Sequence, residues 1–403
     1  FVGTLPNIAE DENLYKAEAY SFWFIYIAPI VLKNRLKEPY YTHMILMRNI
    51  MKLCLLFEIT HDDINELQTM INKWVADYER LYYQYDENRL EACPLTIHAL
   101  LHLPAYIRQT GPLWTSWAFV MERFCGHLLP AVKNRTLPYQ HLDNYVQRRA
   151  QMQIVSRLYS LPSLAKPKVS YTYVGSEKIT SHEKVYPAFP KVVLGRPMST
   201  KVIIDDPLAG QLCKFFATVY ERAFDRDKIR ARIVTLVRHG SLRLADDGDR
   251  IRTAASIDMD RTGIARDNSY VKFDLLPDQN ARFHYRPYLP VRRTQYGRLL
   301  DVYYVEFLEK PGKKATPNQP AVARKIKPYL LARVDECNTD GRDAADPRVD
   351  VLTYTHPRRI APDIIPVYAI SAVVGRIRLP NNIWAIIDRS SSGASTQFID
   401  EEG

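Results

Sequence analysis

Residues 93–126, CPLTIHALLHLPAYIRQTGPLWTSWAFVMERFCG, bring thiols, imidazoles and one carboxylate into a short stretch. His98 and His102 are four residues apart, the spacing that puts two side chains on one face of a helix. Thiolate and imidazole are the donors zinc prefers, so Cys93, His98 and His102 are candidate metal ligands and Zn²⁺ the candidate ion. Leu100, Leu101 and Leu103 crowd the same segment. A hydrogen-bonded structural histidine pair is therefore the competing reading. Glu122 lies among Trp114, Trp117, Phe119, Val120, Met121 and Phe124. A carboxylate in such company must be paired, protonated, metal-bound or at the edge of the apolar face. An ion pair with Arg123 or Arg108 is the plain alternative to a catalytic role.

The elements that must position these groups are helices. Over residues 10–160 apolar positions recur at three and four, and six helices are expected, at about 11–36, 41–58, 61–83, 95–108, 112–129 and 139–160. After Thr60 the pattern runs Ile64, Leu67, Ile71, Trp74, Val75, Tyr78, Leu81. Thr60 and Asp63 have the spacing of a capping box. Asp62 and Asp63 therefore read as caps rather than ligands. Residues 161–200 hold Pro162, Pro167, Pro187, Pro190 and Pro197 with no helical period, and read as a linker or extended arm. Asp206-Pro207 looks like a cap followed by a first-turn proline, opening a helix to about 224. From Lys228 onward β signals dominate: RARIVTLVR, DRIRTAASI, SYVKFDLL, YGRLLDVYYVEFLE, PYLLARVDEC, PVYAISAVVGRIRL and NIWAIIDRS. The expected class is α+β: a helical domain over 1–160, a linker over 161–200, and a β-rich, small-barrel-like or curled antiparallel domain over 201–403 with one leading helix.

Composition narrows the partners. The chain has 403 residues, 46% of them hydrophobic and 25% charged, with a formal net charge of +10. A basic balance suits nucleic acid or an acidic surface without specifying either. The five cysteines form no CxxC pair, which argues against a disulfide framework and for a reducing compartment. The longest apolar run, Ala19 to Leu32, contains Pro29 and falls short of the roughly 18 residues a membrane span needs, so no membrane partner is expected. The chain begins with Phe, and a longer parent is expected.

GPLWTSWAFVMERFCG resembles a helix of the plant- and fungal-type CACTA (En/Spm-like) DNA transposases. CPLTIHALLHLP and LPNIAEDENLYKAEAYSFWFIYIAPIVL fit the same family. VLGRP at 193–197, ARDNSYVKFDLL at 265–276, YGRLLDVYYVEF at 296–307 and NNIWAIIDRSSS at 381–392 are similar to the tails of its fungal members. The resemblance implies a cut-and-paste transposase with a ribonuclease-H-like core working in the nucleus. Three acids there hold two Mg²⁺ ions for in-line displacement at phosphorus. By this resemblance Glu122 is the third acid, and Cys93, His98 and His102 match the Cys/His segment before it. Nothing before Cys93 reads like the strands that carry the first two acids. The chain then corresponds to the carboxyl-terminal region, with the remainder of the core as a partner, homo-oligomerisation left open, and no DNA cleavage expected from this chain alone. A non-enzymatic chromatin or protein-interaction module derived from a transposon is the competing class.

Between Arg222 and Arg298 there are 17 Lys and Arg against 10 Asp and Glu. Arg230, Arg232, Arg238 and Arg243 alternate in a strand-like stretch. Arg286, Arg292, Arg293 and Arg298 are interleaved with Tyr285, Tyr288 and Tyr296. Arginine beside tyrosine suits phosphate contact and base stacking, so these eight arginines are the candidate DNA contacts. A solvated sheet face is the plain alternative. DDGDR at 246–250 reads as a hairpin turn, and no phosphate-binding loop occurs.

Overall fold

The architecture mixes helices with a curled antiparallel sheet. In this computed structural model the described residues are 17–128, 131–132, 136–161, 172–174, 177–179, 182–244, 250–259, 267–277, 280, 285, 287, 289–310, 325–344, 346, 349, 351–355 and 362–390. The chain divides into two units, residues 1–170 with 392–403, and residues 171–391. The expected α+β class holds at this level.

The first unit is helical: α1 (Ala17–Phe22), α2 (Ala28–Val31), α3 (Glu38–Cys54), α4 (His61–Tyr78), α5 (Leu95–Leu100), α6 (Leu103–Thr110), α7 (Phe119–Leu128) and α8 (Pro138–Leu158). Its core follows from the periodicity. Ile64, Leu67, Ile71 and Trp74 of α4 bury one face against Ile50 and Leu53 of α3 and Ile107 of α6. Each fully buried aliphatic side chain contributes about 1.5–3 kcal/mol. The capping box at the start of α4 is closed in both directions: Thr60 Oγ1 accepts from the Asp63 amide at 3.2 Å, and the Thr60 amide donates to Asp63 Oδ2 at 2.8 Å. His43 and Trp74 stack, and the Trp74 indole N–H donates to the His43 carbonyl at 3.2 Å. π-helical turns at Trp23–Ile27 and Glu79–Tyr83 extend the neighbouring helices. Buried Arg48 donates from Nε to the Ile25 carbonyl at 3.0 Å, which satisfies that oxygen inside the apolar packing. The helix expected over 95–108 is broken at residues 101–102, with Pro104 in the first turn of α6. No helix among the described residues is long and apolar enough to cross a membrane.

Among its described residues the second unit holds α9 (Asp206–Tyr220), α10 (Arg226–Arg232) and α11 (Ala254–Asp258) with fourteen strands. These are β1 (Thr172–Val174), β2 (Glu177–Ile179), β3 (Lys184–Val185), β4 (Val192–Ser199), β5 (Ile233–Leu244), β6 (Arg250–Arg252), β7 (Tyr270–Leu275), β8 (Arg293–Lys310), β9 (Lys325–Cys337), β10 (Thr353–Thr355), β11 (Asp363–Pro366), β12 (Ile370–Val373), β13 (Gly375–Arg378) and β14 (Ile383–Ile387). The β8–β9 hairpin is the spine of a nine-stranded sheet. Along its other edge β8 splits its pairing. Residues 293–298 pair with β7, and residues 302–307 pair with β5. One strand serving two neighbours bends the sheet into a half-barrel. Gly297 lies at the bend, where a Cβ would collide with Val334 and the Asp335 carbonyl, so only glycine allows the strands to approach. Leu208, Leu212 and Phe216 of α9 cover one face, with Phe216 stacked on Phe307 at 4.1 Å. The helix is capped by Asp205 rather than Asp206, its Oδ1 accepting the Leu208 amide at 2.9 Å, and it ends at Tyr220. A three-stranded sheet, β10–β14–β13, closes a further core with Tyr270, Tyr296, Cys337 and Ile386.

Two expectations change here. The stretch 161–200 does not act wholly as a linker, because β4 pairs with β5 inside the main sheet and buries Val192, Val193 and Leu194. RARIVTLVR is not one strand: Asp225 accepts the Lys228 amide at 2.7 Å and starts α10, so Arg230 and Arg232 are helical and the strand begins at Ile233.

Candidate functional site

Two regions hold the residues able to do chemistry. The first surrounds α5, α6 and α7. His98 ends in the last turn of α5, and His102 precedes the first turn of α6. The pair stays together across the break between these helices, with Nε2 to Nε2 at 3.1 Å and the rings edge-on. Both imidazoles are exposed, so their mutual hydrogen bond competes with water. Cys93 is exposed at the end of a 3₁₀ turn, Glu87–Ala92. It does not join the pair, and among the described residues no three His, Cys, Asp or Glu side chains are grouped to hold a metal ion.

Glu122 lies in the first turn of α7, where a helix N-terminus favours negative charge. Its side chain is exposed, as are those of Met121, Phe124 and Cys125. The aromatic run before it packs locally: Trp114 stacks on Phe57 and donates its indole N–H to the Phe57 carbonyl at 2.8 Å. Arg108 is engaged elsewhere, donating to Asn65 Oδ1 at 2.9 Å. The carboxylate thus projects from a helix rather than sitting in the core.

The second region is the β unit, where most of the named arginines have internal partners. Arg230 pairs with Asp206 and Asp227, and donates from Nε to the Ile204 carbonyl at 3.1 Å. The hydrogen bond from Arg230 holds the Asp206 carboxyl below its ordinary range. Arg232 donates to the Leu308 and Glu309 carbonyls, both at 3.3 Å. Arg238 lies 3.8 Å from Asp301, and Arg243 lies 3.8 Å from Glu183. These two are five residues apart on β5, an odd spacing that puts them on opposite faces. Arg292 bonds Asp274 at 2.6 Å, and Arg298 reaches Asp258 at 3.2 Å and Ser269 Oγ at 3.2 Å. Arg293 is exposed at the start of β8. Arg286 and Tyr288 lie outside the described residues.

Tyr296 departs furthest from expectation. It is no exposed stacking platform: it is 0% exposed, and its hydroxyl reaches Asp343 Oδ1 at 2.8 Å and Asp388 Oδ2 at 2.7 Å. The same two carboxylates hold Lys272, whose Nζ is 2.9 Å from Asp343 Oδ1 and 3.1 Å from Asp388 Oδ2. Burial pushes the Lys272 ammonium down, but the Asp343 hydrogen bond and the Asp388 charge outweigh it, and the group ends above its ordinary value. Burial first, and then the Asp388 charge, pushes the Tyr296 hydroxyl up, so it stays protonated. Sequence reasoning missed this cluster. The one signal was Lys272 itself, a charge inside the strand-like run YVKFDL. A second buried polar pair joins Tyr186 OH to His239 Nε2 at 3.1 Å, with Tyr186 stacked on Tyr304.

Comparison of the chain with family models, with curated proteins and with solved structures gives no match.

Proposed function

We propose that the chain is the carboxyl-terminal part of a CACTA-type cut-and-paste transposase, working in the nucleus and supporting a ribonuclease-H-like core that other residues complete. What supports this is Glu122: an exposed carboxylate on the first turn of a helix, within the block GPLWTSWAFVMERFCG that most resembles the family. A side chain so placed is free to enter a Mg²⁺ site whose other acids come from outside this chain. The role assigned to Glu122 is that of third metal-binding acid. DNA and the rest of the core are the partners. Binding of the 403-residue chain to duplex DNA at two salt concentrations, with Mg²⁺-dependent cleavage measured in parallel, tests the reading. Salt-sensitive binding without cleavage is expected. Cleavage by the chain alone, or no binding at low salt, overturns it.

One observation favours the non-enzymatic interaction module. Arg230, Arg292 and Arg298 spend their charge on internal carboxylates, which leaves less for phosphate. Absence of DNA binding in the same experiment moves the assignment to that class.

A further inference from the structure

The Lys272 cluster has the composition and geometry of a self-modifying site. A buried amine and a buried acceptor carboxyl meet, with a second, partly exposed carboxyl beside them to carry protons. Lys272 stands on β7, and Asp388 directly follows β14. Their side chains are 7% and 0% exposed. The surrounding packing is apolar and aromatic: Tyr270, Tyr296, Leu352, Tyr354 and Ile386. A plain ion pair accounts for attraction between Lys272 and one carboxylate. It does not account for two carboxylates on one ammonium, nor for the Tyr296 hydroxyl that bridges those carboxylates.

We propose that Lys272 and Asp388 form an intramolecular isopeptide bond. Each polar partner has a place in the chemistry. Asp343, with both oxygens within 3.0 Å of Nζ, takes a proton from the ammonium and frees the nitrogen lone pair. Nζ then attacks Asp388 Cγ. The Ser390 amide donates to Asp388 Oδ1 at 2.8 Å, where negative charge develops. Asp343 accepts a second proton when Nζ sheds it after the attack, and Tyr296 OH, lying between Asp343 Oδ1 and Asp388 Oδ2, relays both protons in turn to the leaving oxygen. The Nζ–Cγ bond forms and the Cγ–Oδ2 bond breaks. Two of the three ammonium protons leave with Oδ2 as one water. Ammonium plus carboxylate become amide plus water, with no oxidant, cofactor or net charge involved. Fixed proximity replaces a bimolecular encounter, and exclusion of bulk water slows the reverse hydrolysis.

The bond would join the main sheet to the end of the three-stranded sheet. The test is the intact mass of the denatured 403-residue chain after incubation at neutral pH, followed by digestion and tandem mass spectrometry. The expected result is a mass one water below that of the sequence, with the peptides carrying Lys272 and Asp388 joined. Asp388→Ala and Asp343→Asn are expected to keep the full mass. The unaltered chain decides the matter even if a variant fails to fold. Full mass in that chain, a bond to Asp343 instead, or water loss confined to a single peptide overturns the proposal.

Discussion

The helical unit buries His43 and Arg48, but it and the β unit differ in where they keep the residues singled out for chemistry. The helical unit leaves Cys93, His98, His102, Glu122 and Cys125 at the surface. The β unit buries Lys272, Asp388, Tyr296 and His239, and gives each a polar partner. An exposed group costs the fold little and remains available to something outside the chain. A buried one must be satisfied internally, and its removal is felt by the whole unit. The same kinds of residue are therefore open to outside partners in one unit and committed to internal contacts in the other. Charge follows the same division: the arginines that make the second unit basic are largely spent on its own carboxylates and carbonyls.

The contrast can be broken most forcefully with pH. Burial first, and then the Lys184 charge, lowers His239 to about 4, while a hydrogen bond with the Gly195 backbone opposes the shift. In the unfolded chain an unperturbed histidine binds its proton near pH 6.5, so the unfolded state takes up more protons between that value and about 4. Stability present above pH 6.5 is accordingly lost as pH falls through this window. The loss amounts to roughly 3 kcal/mol once the folded value is passed. Urea denaturation of the β unit from pH 7 to pH 4 measures it, and His239→Gln should flatten this part of the profile. An unchanged slope in that variant would assign the acid sensitivity to other groups.

Tyr296→Phe comes next. It keeps the ring in the core and deletes the hydroxyl that serves Asp343, Asp388 and the Ala344 amide. Leaving buried acceptors short of a donor costs about 1–3 kcal/mol. A shifted urea midpoint with an unchanged transition slope is the expected signature. A neutral result would mean that water takes the place of the hydroxyl and that the cluster is less enclosed than its burial implies.

What was legible in the sequence divides along the same line. Helices showed themselves through local spacing, as in Ile64, Leu67, Ile71 and Trp74, and through the Thr60–Asp63 box. The strands SYVKFDLL and YGRLLDVYYVEF were legible because β-branched and aromatic residues dominate them. The strand at 192–199 was hidden by Pro197, which proline rules assign to a break. The structure accommodates it where the β4–β5 register shifts between Gly195 and Met198. Tyr296 was misread because its partners are remote, Asp388 lying 92 residues along the chain. No local pattern encodes such a contact. The arginines read as free for the same reason: Arg298 and Asp258 are 40 residues apart, yet they meet. The exposed pair His98 and His102 was legible because its spacing is local, and it persists even though one continuous helix became two.

Glu122→Ala should have the smallest effect on the fold, and that is its value. The carboxylate is exposed in the first turn of α7, so the stability change should stay within about 0.5 kcal/mol. If Glu122 is the third acid, the same substitution abolishes cleavage once the complete core is assembled, because a metal ligand has been lost. Circular dichroism melts of the 403-residue chain supply the first number, and strand cleavage by the assembled transposase supplies the second. A silent substitution in the melt with lost cleavage separates function from architecture at one residue. A large stability loss would put Glu122 with Tyr296 and Lys272, among the side chains the fold keeps for itself.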